Sequence, residues 1–136
     1  MNEDFARILE SLSALAEEYL EDGSAFPPSG AMIDNDGELT LFGTEGEGEN
    51  PQSHVRLLEK AFRDSADNGK CRAFGFCVDV TAQRPGDEEE RDAVMVSMER
   101  EGGEAVDVFI PYLIDPELDF DEPFGDRREP RVFSAE

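Results

Sequence analysis

Apolar residues recur every three or four positions near the start of the chain, at Phe5, Ile8, Leu9, Leu12, Leu15, Ala16, Tyr19 and Leu20. Glu10, Glu17, Glu18 and Glu21 take the opposite side, so the spacing predicts an amphipathic helix over 3–21. Asn2 suits its N-cap, Glu3 and Asp4 suit the positive end of its dipole, and Gly23 suits its end. Phe26-Pro27-Pro28-Ser29-Gly30 follows as a stiff connector that cannot be helical.

The period then changes. Ala31-Met32-Ile33 and Leu39-Thr40-Leu41-Phe42 flank Asp34-Asn35-Asp36-Gly37, which predicts a hairpin. Residues 43–50 alternate Gly and Glu with little apolar content and read as an exposed loop. Asn50-Pro51 opens a second helix, with Val55, Leu58, Ala61, Phe62 and Ala66 on its core side and Asn68-Gly69 as its stop.

Three further strands are expected, over 70–82, 93–98 and 105–110. In the first, Phe74, Phe76, Val78 and Val80 point one way and Cys71, Ala73, Gly75 and Cys77 the other. Large residues on one side and small ones on the other predict a central strand with helices pressed against the small side. The order α-β-β-α-β-β-β predicts an α+β domain: a five-stranded, mainly antiparallel sheet carrying two helices. Residues 1–112 form that single domain. Residues 113–136, rich in acid and Pro with Leu118, Phe120, Phe124, Val132 and Phe133 as apolar punctuation, form a C-terminal strap, packed on the domain or frayed.

The element order resembles the profilin-like architecture of the roadblock and longin families. The segments Ala73–Val80, Asp92–Glu99 and Val108–Tyr112 resemble those of a group of small bacterial proteins without an assigned activity. Neither resemblance brings a catalytic residue.

Charge alters the picture more than composition does. Lys and Arg number 12 against 34 Asp and Glu, a net charge of −22, which disfavours nucleic acid and anionic membranes as partners. Only Lys60 and Lys70 are lysines. The carboxylates are dispersed rather than striped, as in a coat suited to concentrated salt, where short Debye lengths mute repulsion. An acidic mimic of nucleic acid, binding or inhibiting a basic protein, is the alternative explanation. The acidic N-terminus does not predict a secretory signal, and no apolar stretch approaches the roughly 18 residues that span a bilayer. A cytoplasmic location follows. Cys71 and Cys77 would lie roughly 20 Å apart on one strand, beyond the near-7 Å limit of a disulfide, and free thiols fit a reducing compartment.

Candidate chemistry is sparse. If Gly37 took the sixth position of a calcium loop, the first and twelfth would be Met32 and Gly43, where acids are required. The glycines at 43, 46 and 48 are interleaved with Glu45, Glu47 and Glu49, which would repel a phosphate. No metal or cofactor site is expected. His54 and Ser53 are helical neighbours and diverge. Cys77 reads as core packing rather than a nucleophile. Asp79 and Asp107 interrupt apolar strands, so each needs either water or a cation such as Arg72 or Arg91. Tyr112 reads as cover for the sheet edge.

A non-catalytic protein-interaction or binding module is therefore expected. If the helices cover one side only, the face of Phe74, Phe76, Val78, Val80, Val94, Val96, Val106 and Val108 would drive a homodimer or bind a protein partner. The enzymatic alternative is a small hydrolase or lyase using Asp79, Asp107 and His54. A pocket joining the three is its requirement.

Overall fold

The helical periodicity becomes α1 (Glu3–Glu21), and the hairpin becomes β1 (Ser29–Ile33) and β2 (Leu39–Gly43). Next come α2 (Pro51–Asp67), β3 (Ala73–Ala82), β4 (Arg91–Arg100), β5 (Glu104–Ile114), β6 (Leu118–Phe120) and β7 (Phe124–Arg127). The computed structural model describes residues 3–22, 28–43, 51–83, 86, 88–114 and 117–127, the side chains at 43, 51–54 and 126 excepted. Asn2, Gly23, the loop 44–50, Val132 and Phe133 lie outside the described residues.

The strands form one antiparallel sheet in the order β2-β1-β3-β4-β5-β6, with β7 also on β5. Seven strands replace the expected five. Both extra strands come from the segment expected to be a strap, and both pair with the outer side of β5. Tyr112–Ile114 pairs with β6, and Val106–Phe109 pairs with β7. Between them lies Pro111, whose carbonyl accepts a bond from the Asp121 N–H at 2.8 Å. Proline has no N–H to offer an outer strand, so the ladder breaks at that point. Strands of three and four residues carry too little periodicity to be visible in sequence.

Paired residues share a face, which fixes what each side of the sheet presents. On one face α1 lays Phe5, Ile8, Leu12, Ala16 and Leu20 on Ala31, Ile33, Ala73, Cys77, Val94, Val96, Met98, Val108 and Ile110. On the other, α2 lays Leu58 and Phe62 on Cys71, Phe74, Phe76 and Val78. The helices thus sit on opposite faces, not together on the small side. Val94 and Val96 stand opposite Asp79 and Cys77, so these valines, with Val106 and Val108, belong to the α1 core. The expected water-averse outer face is divided between the two cores. Cys71 precedes the strand and packs on the α2 side, not beside Cys77.

One glycine per face lets each helix approach. A Cβ on Gly75 would meet Ile8 Cγ2 at 2.6 Å and Met98 Cγ at 2.9 Å, and one on Gly30 would meet Phe62 Cζ at 2.8 Å. Gly75→Ala is therefore expected to overpack the α1 side and destabilise by about 1–3 kcal/mol. Urea unfolding followed by circular dichroism measures it, and an unchanged midpoint would contradict this packing.

Polar contacts lock α1 in register. Asp4 is buried and accepts from Arg72 Nη2 at 2.9 Å and Nε at 3.1 Å, with Arg100 Nε at 3.5 Å. Arg7 donates to the Gly37 carbonyl at 2.8 Å, and Asn35 donates to the Gly69 carbonyl. The hairpin turn is thereby tied to the start of α1 and the end of α2.

Candidate functional site

Asp79 and Asp107 interrupt their strands on opposite faces. Asp79 pairs with Val94 and so lies on the α1 face. Asp107 pairs with Ser97, which pairs with Phe76 on the α2 face. The sheet stands between the two carboxylates, so they do not share a cleft. His54 belongs to the first turn of α2, and its side chain lies outside the described residues.

Each aspartate has a partner that sequence spacing did not reveal. Tyr112 Oη donates to Asp79 Oδ1 at 2.8 Å. Asp79 is on β3 and Tyr112 on β5, with β4 between them, so the contact exists only once both registers are set. Asp79 is exposed, but desolvation by its neighbours pushes the carboxyl up; the phenol hydrogen bond opposes this, and the Asp92 charge adds to it. Burial likewise pushes the Tyr112 phenol up, as do its bond to Asp79 and the charges of Asp79 and Asp92. A phenol held this way is a proton donor, not a nucleophile or base. Tyr112 does not simply cover the edge, as expected, but satisfies an acid.

On the other face, Ser97 Oγ donates to Asp107 Oδ1 at 2.6 Å. Ser97 is fully buried and needs a partner for its hydroxyl; Asp107 provides one. Among the described residues, one shallow hollow of about 420 Å³ is lined by Met32, Asp34, Asn35, Asp36, Gly69 and Lys70, and another of about 290 Å³ by Gly86, Glu88, Glu89 and Arg91. Neither includes Asp79, Asp107 or Tyr112. Asp34, the first residue of the loop resembling a calcium site, turns its Oδ1 on the N–H groups of Asp36 and Glu38, both at 2.9 Å. It closes the hairpin, with Gly37 at a φ of 88° completing the turn.

The ionisation of Asp79 has a consequence for stability. Its folded pKa lies above the ordinary value, so its contribution is favourable when protonated and is lost as pH rises through that folded pKa. At neutral pH the carboxylate therefore weighs against folding, by an amount that its exposure to solvent keeps small. Asp79→Asn keeps an acceptor for Tyr112 and removes the charge. It is expected to raise the thermal midpoint at pH 7 and to lose that advantage near pH 3. A lower midpoint at pH 7 would show that the charged Tyr112 bond outweighs the burial.

The sheet edges differ in a way that bears on binding. At one end, β6 and β7 are short and carry Asp119, Asp126 and Arg127, with Pro123 between them. Short charged strands and proline are how an edge avoids further pairing. At the other end, β2 reads Leu39-Thr40-Leu41-Phe42-Gly43, without charge or proline. Among the described residues no strand pairs with its outer side, and Leu41 is 49% exposed.

No family model, curated protein or solved structure matches this chain. The resemblances in element order and strand segments therefore supply no functional residue.

The thiols offer no chemistry. Cys71 and Cys77 are both free and buried. Desolvation pushes the Cys71 thiol up to about 12, against a weak bond to the Ala73 carbonyl, and the Cys77 thiol up to about 11. Neither forms useful thiolate near neutral pH. Among the described residues, no helix is long and apolar enough to cross a membrane.

Glu99 is the residue that sequence pattern missed. It is buried on the α2 face between Phe74 and Ala105. The only signal for it was alternation: Met95, Ser97 and Glu99 share a side of β4, and a last-turn strand glutamate reads as exposed unless its cover is known.

Proposed function

We propose that this chain is a non-catalytic protein-interaction module that pairs with a second copy of itself through β2. One observation carries this: a five-residue edge strand free of charge and proline, in a chain of net charge −22. Such an edge presents unpaired N–H and C=O groups as a template for strand addition. A two-fold pairing of β2 with β2 is isologous and closes as a dimer. The acidic surface adapts the module to concentrated salt. Each copy carries a net charge of −22, so the two copies repel as they approach and screening favours the dimer. The hydrolase or lyase alternative draws no support from Asp79 and Asp107, which lie on opposite faces.

Sedimentation equilibrium at 0.1 M and 2 M KCl tests the proposal. The expected result is a dimer in 2 M KCl that shifts toward monomer at 0.1 M. Leu41→Glu places two carboxylates opposite each other at the middle of the pairing, so this variant is expected to be monomeric at both salts with an unchanged far-ultraviolet spectrum. A monomeric wild type in 2 M KCl, or a dimeric Leu41→Glu, contradicts it.

A further inference from the structure

α2 grips the sheet with Leu58 and Phe62 and turns Leu57 outward, 59% exposed. A lone exposed leucine is ordinary; the surroundings of this one are not. Arg56, Lys60 and Arg63 recur at the i, i+4, i+7 spacing that lines up one side of a helix, and all three are exposed. Lys60 and Ala61 are the i+3 and i+4 neighbours of Leu57, and Ala61 is exposed too. Residues 56–63 therefore set three cations against one acid, Glu59, in a chain where 34 acids oppose 12 cations. Asp64 and Asp67, both exposed, bound the patch toward the end of the helix.

The helix on the other face of the sheet shows the opposite sign. α1 exposes Glu3, Glu10, Glu17, Glu18 and Glu21, and its one arginine, Arg7, donates to the Gly37 carbonyl. An anionic partner approaching this molecule thus meets attraction on α2 and repulsion on α1. The patch is small. A nucleic acid or an anionic bilayer would extend past it and meet the carboxylates around it, whereas a short peptide would not.

We propose that the outward side of α2 docks an acidic amphipathic segment of another protein, whose apolar side chains cover Leu57 and Ala61 and whose carboxylates meet Arg56 and Lys60. Burial of the leucine supplies affinity, and the flanking cations select the sign of the partner. A second copy of the chain does not fit this role: its α1 offers glutamates, but the apolar stripe of that helix is already buried on its own sheet. The docking is separate from pairing through β2. It also responds oppositely to salt, which screens an attraction here and a repulsion there.

The probe is a short fluorescein-labelled peptide with leucines at helical spacing and glutamates elsewhere, its anisotropy followed on titration with the full chain. Binding is expected at 0.1 M KCl and to weaken about tenfold at 1 M KCl. Leu57→Ala is expected to weaken it about tenfold, and so is the double reversal Arg56→Glu with Lys60→Glu. Both variants keep the far-ultraviolet spectrum, because the three side chains are exposed. Leu41→Glu, on the β2 edge, is expected to bind the peptide as the wild type does. No binding at 0.1 M KCl, an affinity that neither α2 variant changes, or a loss in Leu41→Glu overturns the proposal. Tighter binding of a single-stranded oligonucleotide of the same charge overturns the class of partner. Loss of self-association in the double reversal would make a second copy the occupant and overturns it as well.

Discussion

Phe62→Ala is expected to destabilise the protein by about 3–5 kcal/mol. Phe62 is 1% exposed. Its ring stacks on Phe74 at 4.3 Å and meets Phe42 edge-on at 6.1 Å, and its edge fills the space left by Gly30. Among the described α2 side chains only Leu58 is buried beside it in that core, with Val55 and Ala66 partly buried against it, so the helix has little apolar bulk with which to close the cavity. Leu57, one residue from Leu58 but 59% exposed, gives the control: Leu57→Ala is expected to change stability by less than about 0.5 kcal/mol. Urea unfolding of both variants measures the difference. Equal losses would show that α2 does not grip the sheet through Phe62.

Raising KCl from 0.1 M to 2 M is expected to lift the thermal midpoint by on the order of ten degrees. Like-charged neighbours on a surface cost only a few tenths of a kcal/mol each. Across a net charge of −22 they sum to several kcal/mol, and for a domain of this size each kcal/mol moves the midpoint by roughly 3–6 degrees. The Debye length falls from about 10 Å to about 3 Å by 1 M salt, which removes most of this repulsion. Asp4 is exempt, because it is buried against Arg72 and short-range pairs are screened least. A Gly75→Ala variant measured in parallel separates the effects, since its packing defect does not depend on salt. A midpoint flat across the series would show that the acidic coat does not oppose folding.

The parts of the fold written in local periodicity were legible in the sequence. The apolar stripe from Phe5 to Leu20 and the Asp34–Gly37 turn each state their own geometry. The alternation of large and small residues along β3 correctly marked an interior strand. It did not say which helix lies on which side, because Phe74 and Gly75 can each receive a helix and only the connections decide. The valines of β4 were placed on the wrong side for a related reason. Shifting a register by one residue exchanges the faces, and no residue in Ala93–Met98 fixes the register by itself. The bond from Tyr112 to Asp79 and the burial of Glu99 depend on two successive registers, which puts them further from local sequence. Even so, Asp79 and Asp107 were visible as exceptions. What the sequence could not convey is that each exception is answered by a hydroxyl, from Tyr112 and Ser97, on its own side of the sheet.

Pairing of β2 with β2 is best tested by isotope-filtered nuclear Overhauser spectroscopy on an equal mixture of labelled and unlabelled protein in 2 M KCl. A two-fold pairing centred on Leu41 brings Leu39 of one copy opposite Gly43 of the other. The expected result is intermolecular contacts between these two residues and between the two copies of Leu41. Intermolecular contacts confined to other elements, or none at a concentration where the wild type sediments as a dimer, would contradict the edge as the site of interaction.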